Sequence, residues 1–137
     1  MPALVPYFSP FYRGPNMDDK QAIAATIQIY FDSMYLSDRD KVLQAFHPHA
    51  KITGYMGGNL LEQTVEEFAN FVDAQTPSAK DQGEAPMLET LSVDITGDTA
   101  VAKVRDGYLG MIFIDTLSML KIDESWVIYN KLFHVEG

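Results

Sequence analysis

From Asp18 onward the apolar residues Ile23, Ile27, Tyr30, Phe31 and Met34 recur at three- and four-residue spacing, the period of a helix with one buried face. Asp18 or Asp19 can cap its start by accepting a backbone N–H, with Gln21 in the first turn. Ser37 and Asp38 stop this helix and cap a shorter one carrying Val42, Leu43 and Phe46. His47-Pro48 ends that second helix, because the residue before a proline avoids the helical region. Lys51 to Tyr55 alternates weakly, and Gly57 and Gly58, between Met56 and Asn59, suit the positive φ angles of a tight hairpin. Thr64-Val65-Glu66-Glu67 matches a capping box, in which hydroxyl and carboxylate satisfy backbone donors at a helix start. Val65, Phe68, Phe71 and Val72 then predict a third helix.

Thr76 to Pro86 is polar and holds two prolines and a glycine, so it reads as a loop before the alternating Leu91, Val93 and Ile95. Gly97-Asp98 turns the chain into Thr99 to Leu109, Met111 to Ile122 supplies a long strand, and Asp123-Glu124-Ser125 leads into Trp126 to Val135. Helices at the front and hairpin-connected strands at the back predict an α+β layer fold: three helices over one face of a curved antiparallel sheet. Residues 1–16 hold four of the seven prolines with Tyr7, Phe8, Phe11 and Tyr12, and read as an extended arm before a single domain, 17–137. The arm either frays or docks its aromatics on a neighbouring subunit or the pocket mouth.

Composition narrows the partners. A length of 137 residues is enough for one core, and 47% apolar against 21% charged residues is ordinary for a globular chain. A formal charge of −9 repels phosphate backbones and anionic lipid surfaces, so neither nucleic acid nor membrane is expected. No run of apolar residues is long enough to span a bilayer. The absence of cysteine rules out disulfides, thiolate metal sites and a cysteine nucleophile. Met1 to Pro15 has no basic n-region and is interrupted by prolines, which leaves a cytoplasmic location as the expectation.

The element order resembles the cone-shaped NTF2-like fold. Within that superfamily the chain is similar to the group called "putative lumazine-binding" or SnoaL-like, over roughly residues 18–135. The resemblance rests on Phe46-His47-Pro48 with Ala50 and Ile52, on Phe113-Ile114-Asp115, on Leu117 to Asp123, and on Trp126-Val127-Ile128 leading into Asn130-Lys131-Leu132-Phe133-His134. Thr116 stands where such proteins often carry an aromatic, and Asp123-Glu124 replaces the commoner Asp-Gly turn. The superfamily includes isomerases, cyclases, dehydratases, transport factors and association domains, so the resemblance implies a fold and a pocket without naming an activity.

A pocket between helices and sheet is expected to be lined by aromatics with a few polar handles: Tyr30, Phe31, Tyr35, Phe46, Tyr55, Phe71, Tyr108, Trp126 and Asn130. Ordinary core packing explains an aromatic at helical spacing equally well. Asp115 is conspicuous, an acid inside the apolar run Met111 to Leu117. Facing the pocket, it suits general acid or base work with His134, His47 or a tyrosine hydroxyl; facing outward, it pairs with Arg105 or Lys103. Strict alternation places Trp126, Ile128, Asn130, Leu132 and His134 on one face of the last strand, taken here as the concave one, and Lys131 on the other. His47, His49 and His134 lack the spacing of a zinc hydrolase, and no metal or other cofactor is expected. Lys51 to Tyr55 holds no carboxylate, which disfavours steroid-isomerase chemistry. The expectation is a small-molecule-binding NTF2-like protein, its ligand apolar or heterocyclic, that forms a homodimer through the sheet face away from the helices. The alternatives are a cofactor-free isomerase, cyclase or dehydratase using an Asp/His pair, and a dimeric association module.

Overall fold

The computed structural model describes residues 18–136, so the expected N-terminal arm and its aromatics lie outside the described residues. Helices α1 (Asp19–Tyr35) and α2 (Arg39–Ala45) come first, followed by strands β1 (Phe46–Met56) and β2 (Asn59–Thr64) and helix α3 (Val65–Asp73). Strands β3 (Leu88–Thr96), β4 (Thr99–Tyr108), β5 (Met111–Ile122) and β6 (Ser125–Val135) complete a six-stranded sheet in the order β2-β1-β6-β5-β4-β3. Among the described residues no helix is long and apolar enough to cross a membrane.

The local signals act as their chemistry dictates. Asp18 accepts from the backbone N–H of Lys20, Asp38 accepts from that of Lys41, and Thr64 and Glu67 form both halves of the capping box. Gly57 and Gly58, at φ 60° and 83°, close the β1–β2 hairpin. Asp123 and Glu124 adopt φ 50° and 68° at the β5–β6 turn, so this turn forms without glycine. The second helix ends at Ala45, and His47-Pro48 lies in the first part of β1, where the register against β6 breaks between Phe46 and Lys51. A proline lacks the N–H of a ladder bond and is tolerated there.

One pair departs from the expected antiparallel sheet: β1 runs parallel to β6. The chain between them, residues 57–124 through β2, α3 and β3 to β5, is long enough for the crossover that a parallel pair requires and a tight hairpin cannot provide. Two bulges also shift the expected alternation. Ser118 pairs with Asn130 and Met119 with Ile128, leaving Tyr129 as an extra residue in β6. Leu91 is likewise the extra residue of β3, which explains its exposure against the expected pattern.

The core lies between the helices and the inner sheet face. Ile23, Ile27 and Met34 of α1, Val42 of α2 and Val72 of α3 pack against Ile52, Val104, Leu117, Met119 and Ile128. Polar contacts pin α1 to the start of β6: the Thr26 hydroxyl donates to the Trp126 carbonyl at 2.8 Å, and the Trp126 indole donates to Asp19 at 3.0 Å.

Candidate functional site

On β4 every second residue turns inward, giving Ala100, Ala102, Val104, Asp106 and Tyr108. The same alternation on β5 turns Phe113, Asp115, Leu117 and Met119 inward. On β6 the bulge at Tyr129 changes the phase, so that Trp126 and Ile128 are buried before it and Lys131 and Phe133 after it. Two acids, a lysine and a tyrosine thus meet on the apolar side of the sheet beneath α1 and α3. Asp115 is 0%, Asp106 1% and Lys131 5% exposed, far below what ionisable side chains usually show.

Tyr30 reaches down from α1 and donates its hydroxyl to Asp115 Oδ2 at 2.6 Å. Asp106 lies beside Asp115, and its carboxyl is pushed up to about 9, by burial first and then by the hydrogen bond with and charge of Asp115, with Lys131 partly opposing. Asp106 therefore keeps its proton at neutral pH, hydrogen-bonded to Asp115. Burial, followed by the charges of Asp115 and Asp106, raises the Tyr30 phenol well above its ordinary range, and burial raises that of Tyr108. Both phenols are donors rather than phenolates.

Lys131 forms no salt bridge among the described residues. Its Nζ sits instead over rings, 4.6 Å from the centroid of Phe68, 4.8 Å from that of Tyr30 and 5.8 Å from that of Phe133. Gly54 permits this packing. A Cβ there would stand 2.4 Å from the Phe133 carbonyl oxygen and 2.6 Å from its ring.

Lys131 and Phe133 line an apolar cleft of about 100 Å³, together with Ile52, Met56, Leu61, Gln63, Phe68, Phe71, Tyr108, Leu109 and Phe113. This is room for about one ring of a ligand. Tyr108 and Leu109 also form a wall of a second groove, of about 300 Å³, under the loop around Pro77. The Tyr108 hydroxyl is buried with no hydrogen-bond partner among the described residues, whereas Asp106 Oδ2 and Asp115 Oδ1 have only the proton that the two carboxyls share.

Of the residues expected in the pocket, Tyr30, Phe46, Phe71 and Tyr108 gather around the cluster or its cleft. Phe46 meets Tyr30 edge-on at 5.5 Å, and Phe71 stands at the cleft mouth, partly exposed. The other expected lining residues lie elsewhere. Phe31 stacks on Tyr35, whose hydroxyl donates to the Glu84 carbonyl at 2.7 Å. Tyr55 is 65% exposed on the opposite side of β1, Trp126 serves the anchor to α1, and Asn130 falls outside the cleft because the bulge turns Lys131 inward in its place.

The expected pairing of Asp115 with a histidine does not form. His134 lies opposite Ile114 and is exposed, and His47 packs against His49 and Tyr129. The outward alternative fails too, since Arg105 pairs with Glu89 and Glu136. Sequence reasoning missed Asp106 and left Lys131 on the far face. The run Ala100, Ala102, Val104, Asp106, Tyr108 carried a detectable signal for the first, because a carboxylate in phase with small apolar residues must share their face.

Three helices packed on one face of a curved six-stranded sheet are the architecture of the NTF2-like class. Residues 18–134 match the sequence profile of the family described as "Putative lumazine-binding", and the chain belongs to that family. Among characterised proteins it is similar to "Aldolase FrzH" of Cladobotryum sp, 29% identical over 115 residues that cover 82% of this chain and 88% of the relative. An NTF2-like protein of unknown function from Silicibacter pomeroyi superposes with a TM-score of 0.78 at 25% identity, covering 88% of this chain and 98% of the other. Another from Methylobacillus flagellatus gives 0.77 at 25% identity, with 88% and 94% covered.

Proposed function

We propose that this protein binds a small, largely apolar carbonyl compound in the Phe68–Phe133 cleft and catalyses proton transfer next to that carbonyl, in an aldol-type carbon–carbon bond reaction. One observation carries the reading: the buried Tyr108 hydroxyl, without a protein partner among the described residues, lines an apolar, ring-lined cleft whose wall also holds Lys131. Buried polar groups without partners destabilise a fold unless a bound polar group completes them. The Tyr108 hydroxyl is a donor suited to a carbonyl oxygen, while phenyl rings receive the apolar body. The name of the similar Cladobotryum protein points to the same reaction class.

In the cleaving direction, the carboxylate of the acid pair removes the proton of a β-hydroxyl group. The carbon–carbon bond breaks to give an aldehyde and an enolate, and the proton of the pair is returned to the enolate. Tyr30 holds Asp115 in place through its 2.6 Å hydrogen bond. Exclusion of water strengthens each of these interactions and prolongs the life of the enolate.

The test uses 4-hydroxy-4-phenyl-2-butanone, with benzaldehyde release followed by absorbance and binding by thermal shift. Binding with turnover in the wild type, and binding without turnover in Asp115→Asn, is the expected result. No thermal shift with this ketol or with benzaldehyde would sink the reading. A further proposal concerns assembly: the sheet face turned away from the helices, with exposed Val101, Tyr129 and Leu132, pairs two copies of the chain.

A further inference from the structure

Lys131 is left without a role by acid–base chemistry at the carboxyl pair. It is the only buried lysine among the described residues. Its inward direction follows from the single extra residue at Tyr129, without which it would point to the outer face. Its amine has rings around it, makes no salt bridge among the described residues, and belongs to a side chain that lines the cleft. A structural lysine is normally held by carboxylates or carbonyls. This one is held by the faces of Tyr30 and Phe68, so converting it to a neutral amine breaks no ion pair.

We propose that Lys131 is the covalent residue of the site, its Nζ forming an imine with the carbonyl carbon of the bound compound. Desolvated lysines in apolar pockets are suited to this chemistry. Nζ passes one ammonium proton to the Asp106/Asp115 pair, its lone pair attacks the carbonyl carbon to form the C–N bond, and a second proton moves from the nitrogen to the oxygen to give a carbinolamine. Loss of the hydroxyl group, protonated by the carboxyl of the Asp106/Asp115 pair, releases one water and leaves the C=N bond. The resulting cationic imine accepts the electron pair of the breaking carbon–carbon bond better than the parent carbonyl does, and water reverses the linkage at the end. The proposal rests on the reading that a carbonyl compound occupies this cleft.

The experiment incubates the folded wild-type chain with benzaldehyde and sodium cyanoborohydride, which delivers hydride to an imine carbon and fixes it as a benzylamine. Intact mass and peptide mapping then locate the adduct, and thermal shift with benzaldehyde alone measures binding in parallel. One benzyl group per chain on Lys131, saturating with benzaldehyde and absent in Lys131→Arg, is the expected result. Should the Arg variant fail to fold, saturable labelling of Lys131 in the wild type, in excess over exposed Lys20 and Lys103, carries the same weight. Binding without an adduct, or unsaturable labelling spread over the exposed lysines, overturns the covalent role and leaves the binding reading intact. No binding at all overturns both.

Discussion

Replacing Asp106 by asparagine tests the shared proton of the acid pair directly. In the folded chain the Asp106 carboxyl is raised from 3.8 to about 9, whereas in the unfolded chain it titrates near its ordinary value. Between those two values folding takes up a proton, so stability is highest at the acid end of the window and falls as pH rises through it. The slope for one proton is about 1.4 kcal/mol per pH unit, so the pair removes roughly 4 kcal/mol between about pH 5 and pH 8. That is a large share of the ~5–15 kcal/mol by which domains are usually stable. Asparagine keeps the shape, and its amide donates to Asp115 where the carboxyl proton did, without any proton uptake. Urea unfolding at several pH values should therefore show a falling stability in the wild type and a much flatter line for Asp106→Asn, with the variant the more stable at pH 8. Parallel lines for the two proteins would refute the shared proton.

The remaining expectations follow from single contacts. Tyr30→Phe leaves Asp115 Oδ2 without its donor in a site closed to solvent, and should cost about 1–3 kcal/mol in chemical unfolding. Gly54→Ala places a methyl 2.4 Å from the Phe133 carbonyl, a backbone atom that cannot rotate away, and should lower stability by about 1–3 kcal/mol with loss of ligand-induced thermal shift. Thr64→Ala removes half of the capping box of α3 and should cost about 1 kcal/mol, while cleft binding is unchanged. For the assembly proposal, Leu132→Glu on the exposed sheet face should turn a dimer into a monomer in light scattering, and a monomeric wild type would end that proposal.

The order of elements was legible in the sequence because it depends on short-range chemistry. Caps at Asp18, Asp38 and Thr64, the Gly57-Gly58 hairpin and the helical spacing of Ile23 to Met34 each act within a few residues. The NTF2-like class followed from that order. Asp115 was also recognisable as a candidate, since a carboxylate in an apolar run is costly wherever the run packs.

The partners of Asp115 were decided by the tertiary structure. Strict alternation along β6 favoured Asn130 and His134 for the inner face, and one bulge residue, Tyr129, gave that face to Lys131 and Phe133 instead. A bulge is a property of two strands in register, so nothing within β6 alone announces it. The approach of Asp106 to Asp115 depends on β4 and β5 lying side by side, and the Tyr30 hydrogen bond spans 85 residues of chain. By itself the sequence determined which segments become helices and strands, through local capping, turn geometry and hydrophobic period. Only tertiary packing decided which charges share the dry interior, because that depends on strand register, where a shift of one residue exchanges the two faces of the sheet.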